Sequence, residues 1–221
     1  MHELKKLPPA SSPIAFLSDI EGNLRALEAV LKEIERYHVE QIYVAGDLVF
    51  GGDDPLGVFQ RLLSLKAICT KGLTDHALVT IDPESLQPSN DEEAARARLF
   101  VETRRKLGDL NLERIRRLPF SFRIPMIDGR EILMVHGTPN DPHDELSHDL
   151  SDEELVEKIG DDVADIIICG ATHTPFQASL GEQTVVNVGS VGAAPGGAVA
   201  HYTILTPKMS GTEILQSFIE Y

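Results

Sequence analysis

Ser18–Leu31 reads SDIEGNLRALEAVL, and the apolar run PIAFL precedes it. The step from that run into this stretch decides the fold. Ile14–Leu17 reads as a buried strand, Asp19 stands at its C-terminal end, and Leu24, Leu27, Ala29–Leu31 and Ile34 recur at helical spacing. A carboxylate between a buried strand and the helix after it sits where open α/β sheets bind ligands. Glu21 repeats the signal two residues later. A lone aspartate there is also commonly a turn or N-cap residue, so the reading rests on what the rest of the chain adds.

The same pattern continues outward. Gln41–Ala45 reads as a second strand ending in Gly46-Asp47. Pro55–Leu65 reads as a helix with Asp54 as its N-cap, and Lys66–Thr70 as a third strand ending in KGLTDH. This β-α-β-α-β order implies a parallel sheet. Residues 82–93 are polar and carry two prolines, which predicts a loop. Ala94–Leu107 and Leu110–Leu118 read as helices, Phe120–Ile127 and Glu131–Val135 as a hairpin turning at Asp128-Gly129. HGTPNDPHDELSHD reads as a long loop over the surface, and Asp152–Ile159 as a short helix. Asp165–Cys169, Thr184–Val188, Ala200–Leu205 and Glu213–Ile219 read as strands. A parallel half followed by a hairpin-rich half suggests two sheets face to face with helices outside. No linker or repeat divides residues 1–221, so one α/β domain is expected.

With a formal charge of −15, the chain repels nucleic-acid backbones at long range, which argues against non-specific binding to them. A small phosphorylated substrate is not excluded, because a bound cation reverses the local sign. Cys69 and Cys169 each end an apolar run, read as buried thiols, and suit a reducing compartment. The N-terminal stretch MHELKKLPPASSP lacks the apolar core of an export signal, and no run is long enough to span a membrane. A cytoplasmic location is expected.

Polar clusters fall at five strand ends: Asp19-Ile20-Glu21, Gly46-Asp47, Gly72–Asp75, His136-Gly137 and Gly170–His173. Asp19, Glu21, Asp47, His136 and His173 would converge on one sheet edge. Three carboxylates and two imidazoles suit Mn²⁺, Fe²⁺ or Zn²⁺.

In this order SDIEGN, VAGDLVFGG, KGLTDH, MVHG, ICGATH and VVNVGS resemble the calcineurin-like metallophosphoesterases, specifically their small bacterial and archaeal phosphodiesterase and diadenosine tetraphosphatase-like branch. The resemblance covers essentially the whole chain. It implies a four-layer α/β/β/α sandwich and a two-metal site that hydrolyses phosphate esters. It also implies roles. Asp19 and His173 match first-metal ligands, Asp47 the carboxylate shared by both metals, His136 a second-metal ligand and a contact to phosphate, and Asn23 a substrate-facing residue. Asp75 matches a retained position of the motif. The departures are Glu21, where the family has histidine, Leu73 for a metal-binding asparagine, Thr74 for the histidine that assists the leaving group, and Ala171 for the first histidine of GHTH.

These departures fall unevenly. Asp19, Glu21, Asp47 and His173 can all ligate, whereas leucine and alanine offer no lone pair, so at most one tightly held divalent metal per chain is expected. Two readings stand open. One is a metal-dependent phosphoesterase of low or narrowed activity on a phosphorylated small molecule or nucleotide. The other is an inactive descendant that binds or regulates.

Overall fold

The computed structural model describes residues 8–221. Residues 1–7, part of the stretch expected to carry no export signal, lie outside the described residues.

Strands β1 (Ile14–Leu17), β2 (Gln41–Ala45) and β3 (Ile68–Thr70) run parallel. The antiparallel strands β9 (Val199–Thr206) and β10 (Glu213–Glu220) complete a five-stranded sheet of order β10-β9-β1-β2-β3. The second sheet has order β4-β5-β6-β8-β7, built from β4 (Ser121–Pro125), β5 (Glu131–Val135), β6 (Ile166–Cys169), β7 (Phe176–Leu180) and β8 (Gln183–Asn187). Here β5, β6 and β8 are parallel.

The period-2 alternation of strand side chains explains the layering. Ile14 and Phe16 of β1, Ile132 and Met134 of β5, and Ile166 and Ile168 of β6 form one buried cluster between the sheets. Their neighbours Ala15 and Leu17 point instead into a cluster with helices α1 (Leu24–Ile34), α2 (Pro55–Ser64) and α4 (Asp91–Arg116). Leu133, Ile167 and Cys169 pack outward with Leu155 and Ile159 of α5 (Asp152–Ile159). Strands buried on both faces read as continuous apolar runs, which is why β1 and β6 were legible. Phe16 stacks on Tyr43 at 5.1 Å between ring centroids.

Local signals set the helix ends. Asn23 Oδ1 accepts from Ala26 N at 3.0 Å to start α1. Asp54 caps α2 through Gly57 N at 2.8 Å, with Pro55 in the first turn. Ser151 and Glu154 form a capping box on α5.

Some expectations shift. Leu73–Thr80 forms helix α3, which the KGLTDH motif did not announce, because Asp75 serves as the organiser: its carboxylate accepts from Gly72 N at 3.1 Å and Leu48 N at 3.0 Å. Residues 82–93 are not all loop. Pro83–Ser85 is a 3₁₀ turn, and Asn90 caps α4 through Glu93 N at 2.8 Å, so the helix starts at Asp91. The two helices expected around Leu107 and Leu110 are both present in Asp91–Arg116, separated by a kink at Gly108, whose φ of 70° and ψ of 163° leave the helical path. Strand β7 adds to the strands read from sequence, since its alternating, half-buried FQASL lies at a sheet edge. No helix among the described residues is long and apolar enough to cross a membrane.

Candidate functional site

The parallel strands of both sheets end along the same edge, and hydrogen bonds lock the loops beyond them. Asp19 N donates to Gly46 O at 3.1 Å, and Glu21 N to Asp47 O at 3.0 Å, holding the loops after β1 and β2 together. In the second sheet Gly170 N donates to His136 O at 3.0 Å. Ala171 N crosses between sheets to Asp19 Oδ2 at 3.2 Å. The GSVG loop closes the floor: Ser190 Oγ and Gly192 N both donate to Asp19 O, at 2.9 and 2.8 Å.

These constraints force the backbone into an uncommon conformation. Seven non-glycine residues among those described have positive φ, and five of them are Asp19, Glu21, Asp47, Ala171 and His173. Such residues cost about 1–3 kcal/mol each and persist where surrounding structure over-determines them. Space is equally tight. A Cβ on Gly72 would lie 2.2 Å from Asp47 Oδ1, and one on Gly170 would lie 2.6 Å from Asp19 Oδ2.

Two groupings result, each with ligand atoms within 4.8 Å of one another: Asp19, Glu21 and His173, and Asp19, Asp47 and His136. The sequence reading set Asp47 beside Glu21 and His173. It also gave Asp47, as the shared carboxylate, to His136; the structure groups Asp47 with His136, and Asp19 is the member common to both groupings. The second grouping therefore has three donors, one more than counting along the chain gave it.

Both imidazoles are oriented alike. His173 Nδ1 lies 3.1 Å from Ala193 O, and His136 Nδ1 lies 2.7 Å from Ala45 O. Each Nδ1–H donates to a carbonyl, and Nε2 is left to face carboxylates. His173 Nε2 stands 3.3 Å from both Asp19 Oδ1 and Glu21 Oε1, and His136 Nε2 stands 3.5 Å from Asp47 Oδ2. Metal-ligating histidines are commonly held this way. Asp19 Oδ1 is buried and makes no hydrogen bond of good geometry. A buried carboxylate oxygen without a donor is where a cation belongs, so the donor set fits a divalent ion.

Without a cation, protons supply the balancing charge. The Asp19 and Glu21 carboxylates, 3.3 Å from Nε2, favour the charged ring and push the His173 imidazole up to about 10. Burial opposes charge on His136, yet the hydrogen bond to Asp47 and the charge of Asp19 outweigh it and also bring that ring to about 10. Burial would raise Asp47, but His136 and the Thr74 amide at 2.9 Å hold it below the usual carboxylate range. Asp75 is the group that moves up: full burial and the nearby Asp47 charge lift it to about 7.

Other expected residues take different places. Asn23 caps α1 and donates through Nδ2 to Gly192 O at 3.1 Å and Tyr221 Oη at 2.8 Å. Its amide supports the floor. His136 is only 3% exposed, and its Nε2 faces Asp47. Leu73 is exposed at the start of α3, and Ala171 adds only its backbone amide. Cys169 is buried and Cys69 half-buried, both as free thiols. Sequence reasoning missed Phe50 and Arg96, which line a depression together with Glu21, Gly51 and Thr74. Only the packing of α4 beside the loop after β2 brings them there.

The calcineurin-like phosphoesterase superfamily domain matches residues 13–210. The chain belongs to that superfamily. An uncharacterized protein from Methanocaldococcus jannaschii is 29% identical over 229 residues, which cover 95% of this chain and 88% of the relative. A hypothetical protein from Pyrococcus horikoshii has the same fold with a TM-score of 0.80 at 22% identity, covering 95% of this chain and 88% of its own. A metallophosphoesterase from Sphaerobacter thermophilus aligns with a TM-score of 0.75 at 23% identity, over 96% and 89% of the two chains. The two sheets and their flanking helices are thus the four-layer metallophosphoesterase fold.

Proposed function

We propose that this chain is one metallophosphoesterase domain that hydrolyses phosphoesters slowly or over a narrow substrate range, using one tightly held divalent cation. The observation that carries this reading is the Asp19–Glu21–His173 grouping: three donors, one imidazole already oriented, and one carboxylate oxygen without a hydrogen bond. These residues would hold the ion, and Glu21 and His173 remain partly open to solvent. The bound cation would polarise a phosphoryl oxygen and lower the pKa of water beside it. Hydrolysis adds that water across one P–O ester bond and releases an alcohol.

The protein's own groups limit the rate. By the family resemblance Thr74 replaces the histidine that assists the leaving group, and a neutral hydroxyl gives up no proton near pH 7. Loss of general acid–base assistance costs roughly 10²–10⁴ in rate. Esters with good leaving groups are therefore expected to react far better than alkyl esters. Substrates would be phosphorylated small molecules or nucleotides. Two similar folds carry related descriptions, a phosphoesterase from E. coli and a putative diadenosine tetraphosphatase. The second reading, a binding module without catalysis, draws on Leu73 and Ala171, which offer no ligand around Asp47 and His136.

Elemental analysis after Mn²⁺ loading and desalting tests the metal. One ion per chain, absent in Glu21→Ala, is the expected result. No retained ion favours the binding module, and two ions overturn the single-site reading. Hydrolysis of bis(4-nitrophenyl) phosphate by the loaded protein should collapse in Glu21→Ala and Asp47→Ala. An unchanged rate in both would mark the activity as a contaminant.

A further inference from the structure

Beside the carboxylate site lies a half-open cavity of about 360 Å³ lined by Phe50, Thr74, Ala77, Leu86, Ala97 and Phe100, among others. It is formed where α4 and the 3₁₀ turn at Pro83–Ser85 lean over α3, and it takes no part in the metal chemistry of the carboxylate site. Three of its residues, Phe50, Thr74 and Arg96, also line the depression that contains Glu21. The two spaces therefore adjoin, with Thr74 at the junction. Thr74 N is tied to Asp47 Oδ1, while Thr74 Oγ1 is buried without a hydrogen-bond partner.

The lining has two chemistries. Phe50 and Phe100 meet edge to face at 6.2 Å, and alanine and leucine side chains complete an apolar wall. At the junction the Arg96 guanidinium lies 5.3 Å from the Phe50 ring centroid, and among the described residues it forms no ion pair. A guanidinium held over an aromatic face keeps its donors available for phosphate oxygens. A volume near the lower end of small-molecule sites admits one ring system, not an extended chain.

We propose that this cavity receives the organic group of the phosphoester, and that the group is aromatic or heteroaromatic. The phosphate would sit in the depression between Glu21 and Arg96, and the ring would pass Thr74 to lie against Phe50 and Ala97. This inference rests on the phosphoesterase reading. It adds to it a location and a selectivity: Ala97 and Phe50 select the substrate's organic group without touching the cation.

Phosphonates test this without hydrolysis, since their P–C bond is not an ester. Titration calorimetry on the Mn²⁺-loaded full chain would compare methylphosphonate with phenylphosphonate and 3-phenylpropylphosphonate, two tether lengths. Burial of a phenyl ring is expected to make at least one aryl ligand bind about tenfold or more tightly than methylphosphonate. Ala97→Leu, on a half-buried face of α4, should remove that preference and leave methylphosphonate and Mn²⁺ binding unchanged. Arg96→Gln should weaken all three ligands alike. Equal, Mn²⁺-dependent binding of all three overturns the cavity while leaving the phosphoesterase reading intact. So does an aryl preference that survives Ala97→Leu. Failure of every phosphonate to bind with Mn²⁺ present overturns both.

Discussion

His173 and Glu21 face each other at 3.3 Å, Nε2 to Oε1, from loops that belong to different sheets. Neither residue could be placed near the other without the packing of β6 against β1 through the interlayer core. Exchange of the carboxylate for a neutral amide at this contact should weaken the cation. Glu21→Gln is expected to lower Mn²⁺ affinity by at least about tenfold, the effect of disturbing even an outer-shell partner. Competition with a fluorescent chelator measures it. Unchanged affinity would exclude Glu21 as a ligand.

Ala171 already has φ of 68°, so a larger L-residue there adds little backbone strain. Leu73 is 43% exposed and tolerates a polar side chain. The double variant Ala171→His with Leu73→Asn should supply donors beside Asp47 and His136. Elemental analysis is expected to rise from one Mn²⁺ per chain to two. A value that stays at one would mean that the missing donors are not what limits the second ion.

Gly170→Ala should disturb the site through space alone. The added methyl would meet Ser18 Oγ at 2.0 Å and Asp19 Oδ2 at 2.6 Å. Ser18 is itself anchored, donating to Ala45 O at 2.9 Å. Over-packing of this kind costs about 1–3 kcal/mol. Urea unfolding should show that loss together with reduced Mn²⁺ retention, while a normal midpoint would show that the loop yields.

The metal-free protein should become less stable as pH rises. Asp75 is raised from 3.8 to about 7, so the folded chain holds a proton that the unfolded chain has lost. Its stabilising contribution is present at low pH and disappears as pH approaches 7. His136 and His173, raised from 6.5 to about 10, extend the same trend from near neutrality to alkaline pH. Asp47 is shifted the other way, so its contribution is lost only in acid below the normal carboxylate range. Calorimetry after chelation should give a higher Tm at about pH 5 than at about pH 8.5. Added Mn²⁺ should raise the alkaline Tm most, because it replaces the imidazolium proton of His173.

Phe16→Ala removes a fully buried ring from between the sheets. A loss of about 3–5 kcal/mol is expected by chemical denaturation. A small loss would imply that the sheets close over the gap.

Elements with local signals were legible in the chain before any fold was known. Continuous apolar runs marked β1, β2 and β6, because strands covered on both faces carry no polar alternation. Asp54 marked the start of α2, because an N-cap acts within three residues. The five strand-end clusters were legible for the same reason, each being written in two to four consecutive residues. The remaining features depend on how the sheets and helices pack. Asp75 reads as one more acidic residue until burial makes it the clamp between Leu48 and Gly72. Asp19 joins Asp47 and His136 as well as Glu21 and His173, because the distance between strand ends depends on how two sheets pack. Asn23 turns to Gly192 and Tyr221, which are far along the chain. Arg96 and Phe50 meet only through the placement of α4. Hydrogen-bond and Coulomb energies fall off over a few ångströms, so which carboxylate shares which cation is fixed by separations that no spacing along the chain encodes.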